Sequence, residues 1–237
     1  MSLRLFVEAA LSAGLILDLP PGPARHVQVR RLQPGDGLVL FDGHGGEWTA
    51  EIRQMGRQQV QVQVGRHHAV EREPAVAVTL ALGMPANERM DWLVEKATEL
   101  GVAAIRPLVT ERSVLRLAGE RAERKQAHWQ AIAVAAAEQS GRTRVPVVHP
   151  VRAWAHGQAL PVGARGWVLS LATDAERAPA LAGAAGEVLL LSGPEGGLTA
   201  AEEAQARAAG LQPLSLGPRV LRAETAPLAS LAWMTCG

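Results

Sequence analysis

The sequence is short of the residues that most often announce chemistry on their own. Cysteine occurs once, at Cys236. A single thiol excludes an intramolecular disulfide and argues against a cysteine-based metal site, so no metal is expected. Lysine occurs only at Lys96 and Lys125, which leaves arginine as nearly all of the 24 basic residues. The planar guanidinium fork suits phosphates and base edges, although an alanine- and arginine-rich composition also follows from codon bias. There is no uncharged apolar run of about 18 residues or more, so no membrane-spanning helix is expected. The opening MSLRLFVEAALSAG has no basic n-region, long apolar core or small-residue cleavage site, and a cytoplasmic location is expected. No internal repeat is present.

What remains is ordinary for a globular protein. The chain has 237 residues, 48% hydrophobic and 20% charged, with a net charge of +1. That length fits one large domain or two modest ones. The charge balance neither announces nucleic acid nor excludes it. Its distribution says more. Arg25, His26, Arg30 and Arg31 crowd into one short stretch, and Arg142 and Arg144 flank a turn. Each of these also reads as ordinary solvated surface.

Residues 1–70 read as β-rich. HVQVRRL (26–32), GLVLF (37–41), EWTAEI (47–52) and QVQVQV (59–64) alternate or carry β-branched residues, with Gly-rich turns between them. Short strands at this spacing suggest a small barrel. The polar, proline-ended VEREP (70–74) marks a boundary. From 74 to 237 the pattern changes to alternating strands and helices. Strands are expected at 76–82, 104–109, 144–148, 166–171, 187–192 and 211–216. Helices are expected at 90–100, 120–140, 151–158, 175–183, 200–209 and 226–234. Such alternation implies a mostly parallel sheet covered on both faces.

Three segments stand out as candidate sites. SGPEGGLTAAEE (192–203) links a buried apolar strand to a helix. Its glycines let backbone approach a ligand closely, and Thr199 with Glu202 spells a capping box. The turn lies at a strand's carboxyl end, where open α/β sheets bind ligands. It lacks the lysine of a phosphate loop, and Glu195 would repel a phosphate. The expected ligand is neutral or cationic where it meets this turn. SLGPRVLRAETAPL (215–228) follows the next strand, with Arg219 and Arg222 beside a glycine turn, Thr225 as a candidate N-cap and Pro227 in the first helical turn. The two arginines suit a ligand, or an ion pair with Glu224. AAAEQSGRTR (135–144) gathers Glu138, Gln139, Ser140 and Arg142 at a helix end. These groups suit RNA backbone or base, and equally suit capping.

Together RMDWLVEKATELGV (89–102), AAAEQSGRTRVP, LLLSGPEGGLTAAE (189–202) and LGPRVLRAETA (216–226) resemble the RsmE family of ribosomal RNA methyltransferases. RHVQVRRLQPGDGLVLFDGHGGEW (25–48) is similar to that family's small PUA-like barrel. The resemblance covers nearly the whole chain. It implies an α/β fold of the SPOUT class whose C-terminal part is tied in a deep trefoil knot, a PUA-like RNA-binding barrel over 1–70, and a methyltransferase domain over 74–237. It further implies a homodimer, S-adenosylmethionine (SAM) as methyl donor, and methylation at N3 of a uridine in the decoding region of 16S rRNA within the small ribosomal subunit.

Carried over by motif, Leu191, Ser192, Gly193, Pro194, Glu195, Gly196 and Gly197 would hold the cofactor with Leu216, Gly217 and Leu221, and with Leu169 and Ser170 at a neighbouring strand end. Arg222, backed by Arg219, would stabilise charge on the uracil, and Glu138 or Glu224 would orient an arginine or take the N3 proton. Arg25, Arg30, Arg31 and Arg142 would grip RNA. The chain departs from the family pattern at Ala223, where threonine is usual, at Glu95 in place of a frequent glutamine, and in the 84–88 loop, which has no basic residue. Ribose 2′-O methylation, a non-catalytic RNA-binding assembly module and an ordinary α/β nucleotide-binding enzyme stay open as alternatives.

Overall fold

The computed structural model describes residues 2–57, 59–86, 88–154, 165–172, 174–177 and 186–236. The chain divides into two compact units. One comprises Met1–Glu73 and Ala137–Val145, the other Pro74–Ala136 and Pro146–Gly237.

The first unit contains β1 (Arg4–Phe6), β2 (Ile16–Asp18), α1 (Pro21–Val29), β3 (Gly37–Phe41), β4 (Glu47–Met55) and β5 (Val60–His68). The strands run in the order β1-β3-β4-β5-β2. β1 lies parallel to β3, and the other pairs are antiparallel. Among the described residues no pairing joins β1 to β2, so the expected barrel is an open path of five strands. Alternation places the core: Leu38, Leu40, Ile52, Val60, Val62 and Val64 are buried together.

The strand expected at 26–32 is instead the end of α1. A strand would put Val27 and Val29 on one face. In the structure Val27 is fully buried while Val29 is 71% exposed. The buried pair is Ala24 and Val27, three residues apart. Pro21 and Pro23 open the helix, where their fixed φ is helical and their missing N–H groups cost little.

The second unit alternates strands and helices: β6 (Val76–Gly83), α2 (Glu88–Glu99), β7 (Ala104–Val109), α3 (Gly119–Ser140), β8 (Val147–Val148), β9 (Arg152–Ala153), β10 (Arg165–Leu169), β11 (Glu176–Arg177), β12 (Gly186–Ser192), α4 (Ala200–Ala208), β13 (Gln212–Ser215) and α5 (Thr225–Thr235). The sheet order is β11-β13-β10-β12-β6-β7-β8, with β9 also on β7. Every pair is parallel. The run Val188–Leu191 is buried in the middle strand, β12. Each fully buried aliphatic side chain there contributes about 1.5–3 kcal/mol. The helix expected at 151–158 is contradicted at its start, because β9 pairs with Leu108 and Val109 of β7. An open strand edge with unpaired backbone groups captured that segment. β11 likewise replaces the start of the helix expected at 175–183. Residues 155–158 and 178–183 lie outside the described residues. Thr225 is not the N-cap of α5. Glu224 holds the cap position, without a side-chain cap bond.

The last turn of α3 belongs to the first unit, and arginines hold it there. Arg72 donates to the Gly141 carbonyl at 2.9 Å and Arg4 to that of Arg142 at 2.9 Å. Both arginines also pair with Glu47. Arg142 is only 5% exposed. Its Nε donates to both Glu73 carboxylate oxygens, at 3.2 and 3.1 Å, and Nη2 pairs with the same group. Arg142, expected to meet RNA, here has its fork against the Glu73 carboxylate. Glu138, expected to orient an arginine or take the N3 proton, lies in the same unit. Its Oε1 accepts the Phe6 N–H at 2.9 Å inside the first unit, and Oε2 faces His26 at 3.6 Å. Burial pushes its pKa up, against the lowering pull of the Phe6 N–H, His26 and Arg4.

Burial alone would raise the Glu47 carboxyl as well, but Arg72 and Arg4 outweigh it and hold its pKa below the ordinary range. A carboxylate whose pKa is lowered by folding stabilises the fold above its unfolded pKa and loses that contribution as pH falls through the folded one. Glu47→Gln is therefore expected to cost about 1 kcal/mol at pH 7. The difference should shrink as denaturation is repeated at falling pH through the carboxylate range. A difference independent of pH would mean that the ion pairs are not its source.

Candidate functional site

Three segments of the second unit converge after the adjacent strands β10, β12 and β13. They line a cavity of about 750 Å³. That volume suits a ligand of nucleoside size. One wall is the turn after β12. A Cβ on Gly193 would meet the Leu198 nitrogen at 2.7 Å and the Gly197 carbonyl carbon at 2.8 Å, so only glycine permits this closure. The neighbouring strand end is as tight, since a Cβ on Gly83 would strike Pro194. Thr199 then caps α4 in a complete capping box. Its hydroxyl accepts the Glu202 N–H at 3.2 Å, and Glu202 accepts the Thr199 N–H at 2.8 Å.

Carboxylates and an arginine brace this turn to the ends of β6 and β7. Glu195 Oε1 accepts the Ala86 N–H at 3.0 Å and lies 3.5 Å from Arg89 Nη1. Arg89 Nε lies 4.0 Å from Glu224 Oε1. Arg89 thus bridges one carboxylate on the glycine turn and one at the start of α5. Glu202 Oε1 accepts the Glu111 N–H at 2.9 Å. Arg112 Nη1 donates to the carbonyls of Gly196 and Leu198, at 3.0 and 3.3 Å.

On the β10 side, Ser170 donates to Glu203 Oε1 at 2.7 Å. Arg207 pairs with that same carboxylate. The facing wall comes from the loop after β13, with Gly217 at φ +103, where a side chain would be strained. Arg219 and Arg222 stand exposed on this wall. Neither makes an ion pair among the described residues. The pairing of these arginines with Glu224 does not form, because Glu224 faces Arg89.

The structure brings together most of the residues singled out by sequence. Leu169, Ser170, Ser192, Gly193, Pro194, Glu195, Gly196, Gly197, Leu216, Gly217, Arg219, Leu221 and Arg222 all line the cavity. Leu191 does not. It is fully buried beneath the turn, packed with Leu189 and Val168. Glu138 is not among the lining residues either. Arg89, Arg112 and Glu203 line the cavity and were missed. Arg89 opens the RMDWLVEKATELGV stretch and so had a signal. Arg112 follows β7 in a loop without a motif. Arg25, Arg30 and Arg31 are exposed on and just after α1. No group of three or more metal-ligating side chains occurs among the described residues. No helix among them is long and apolar enough to cross a membrane.

A family model described as an RNA methyltransferase domain matches residues 71–235, and one described as an RNA methyltransferase PUA domain matches 24–65. The ribosomal RNA small subunit methyltransferase E of Synechocystis is 35% identical, over 98% of this chain and 77% of its own length. That of Bacillus subtilis is 32% identical, over 87% and 84%. The chain belongs to the ribosomal RNA small subunit methyltransferase E family. The fold agrees. The crystal structure of the Neisseria gonorrhoeae member bound to S-adenosyl methionine superposes with a TM-score of 0.90 at 34% identity, covering 99% of this chain and 97% of that one. A Legionella pneumophila structure in complex with SAM gives 0.88 at 32% identity, with 99% and 97% covered. As in these relatives, a PUA-like N-terminal part precedes an α/β methyltransferase domain.

For this family member the crowding at Gly193 yields a direct test. Gly193→Ala must displace Leu198 and Gly197, which form the wall itself. SAM affinity measured by calorimetry is expected to fall by about 100-fold or more, with the thermal midpoint reduced by a few degrees at most. Unchanged affinity would mean the turn does not touch the ligand.

Proposed function

We propose that the protein transfers a methyl group from SAM to N3 of a uridine in 16S rRNA of the small ribosomal subunit. The observation that carries this reading is the single cavity on which the glycine turn, the β10 end and two uncommitted arginines converge, in a chain of this family. The residues present fit the cofactor. The cavity is large enough, Gly193 and Gly217 bring backbone to its surface, and the turn offers no lysine for a phosphate. Leu169, Ser170, Ser192–Gly197, Leu216, Gly217 and Leu221 would hold it. When bound, SAM supplies an electrophilic methyl on a sulfonium.

The remaining work falls to this chain's side chains. Uridine N3 carries a weakly acidic imide proton, which passes to solvent, and its loss leaves charge on O2 and O4 until N3 takes the methyl and the sulfonium becomes a neutral thioether. Arg222, with Arg219 beside it, supplies a cation at the cavity mouth to stabilise that charge. The braced turn holds the reacting partners in orientation, which contributes much of the rate. Glu138 has no part in this scheme. Glu224 orients Arg89, and through it Glu195 and the turn.

Residues 1–70 serve as the RNA-binding domain, with Arg25, Arg30 and Arg31 as its contact to phosphates. The loops after β10, β12 and β13 meeting on one cavity support a knotted C-terminal path. Trp92 and Trp233, 47% and 42% exposed on the packed helices α2 and α5, support a homodimer across those helices. A cytoplasmic protein fits a ribosomal substrate.

The test of the function is incubation of labelled SAM with small subunits lacking the modification, followed by mapping of the labelled nucleotide. Label at N3 of one uridine is expected. Label on a ribose 2′-oxygen, or none, sinks the assignment. Arg222→Ala should lower kcat about 100- to 1,000-fold while SAM affinity stays within about threefold. Weaker SAM binding with intact turnover would refute the role given to it. Replacing Arg25, Arg30 and Arg31 by glutamine should weaken rRNA binding and flatten its salt dependence by about one log unit per lost phosphate contact. An unchanged slope would remove that surface from the RNA face.

A further inference from the structure

A second polar site lies at the outer edge of the sheet in the second unit. β8 pairs with Ala104 and Ile105 of β7, and β9 with Leu108 and Val109. Between those two pairings the ladder on this side of β7 skips Arg106 and Pro107, whose register partners, Ala81 and Leu82, lie on β6. The ladder breaks there for a chemical reason. Pro107 has no N–H to offer, and Pro150 in the crossing segment has none either. The His149 N–H bonds to the Ile105 carbonyl at 2.9 Å, and the Trp154 N–H to that of Val109 at 2.8 Å. The chain therefore bows away from the edge between these two anchors.

The bow leaves a notch of about 280 Å³ lined by Arg106, Pro107, Leu108, His149, Pro150 and Arg152. Three of the six side chains are basic, and none is acidic. Among the described residues no carboxylate forms an ion pair with His149 or Arg152. Burial, then Arg106 and Arg152, hold the His149 pKa below its ordinary value. Like charges crowded at one notch oppose each other, and an anion seated among them relieves that opposition. The protein's net charge of only +1 makes the local concentration of cations more telling.

We propose that this notch binds a phosphate oxyanion, supplied by a phosphodiester of the rRNA backbone. Arg106 and Arg152 offer planar forks suited to phosphate oxygens, and His149 adds a donor that gains its proton as the anion enters. The site is separate from the SAM cavity. The geometry of the notch stands on its own, and the identification of its ligand as rRNA rests on the proposed function.

The test uses the full-length protein. In Arg106→Gln/Arg152→Gln, rRNA affinity is expected to fall about tenfold and the salt slope to become shallower by about one. SAM affinity and circular dichroism should remain unchanged. If the double variant misfolds, Arg152→Gln alone, at an exposed position, should lower rRNA affinity. NMR titration of the His149 ring should give a higher pKa with an rRNA fragment bound than without it. Inorganic phosphate should produce the same rise only at millimolar levels. Unchanged rRNA affinity and slope in the folded variant overturn the proposal. So does tight inorganic phosphate binding without an effect on rRNA, which would assign the notch to a free anion. A wild type that methylates no RNA would instead overturn the methyltransferase reading, and the phosphate arm would still test the notch.

Discussion

The second unit depends on how the turn after β12 is held. A glycine-rich turn is soft by nature, because glycine resists few conformations. Here four contacts stiffen it. Glu195 accepts the Ala86 N–H, Glu202 accepts that of Glu111, and Arg112 donates to the Gly196 and Leu198 carbonyls. The donors and acceptors come from the segments after β6 and β7, so the turn is tied to two strand ends besides its own. Orientation of reacting groups within fractions of an ångström requires such support.

The same bracing explains why the cavity is a poor phosphate site despite its resemblance to one. A helix N-terminus attracts anions through its unpaired N–H groups and dipole. At α4 the capping box takes up the Glu202 N–H, and Glu202 and Glu203 place two carboxylates in the first turn. Glu195 was read from sequence as a carboxylate repelling phosphate. In the structure its charge is partly answered by Arg89 and its oxygen by Ala86. The exclusion of phosphate thus rests on the whole acidic first turn of α4 more than on Glu195. The cations lie across the cavity, on Arg219 and Arg222, where they meet whatever enters from solvent.

Much of this was legible in the sequence, and the failures have physical causes. The strands β3 to β7 carry alternating or apolar runs and α2 a 3.6-residue apolar stripe strong enough to locate them, whereas α5 is apolar nearly all round. The turn after β12 announced itself through glycine spacing and a capping box. HVQVRRL misled because its alternation is local, while the prolines ahead of it and the burial of Ala24 with Val27 decide for helix. The short strands β9 and β11 exist only because a neighbouring edge offers backbone partners, which no local pattern encodes. Leu191 was placed in the cavity because it adjoins the motif, but a strand's alternation and the second buried face turn it into the core.

The arginines give the sharpest lesson on what sequence can say about charge. Arg142 and Arg222 looked alike in sequence, each an arginine in a motif beside a turn. Their surroundings separate them. Arg142 is buried against Glu73, and removing it would strand a carboxylate in the first unit's interior. Arg222 is exposed at a cavity wall with no ion pair among the described residues, so its charge is available to a ligand. An ion pair fixes local structure by consuming the same field that would stabilise a developing anion. One guanidinium cannot do both fully. A chain whose basic residues are nearly all arginine must therefore divide them between architecture and chemistry, and the division is set by which carboxylates the fold brings near.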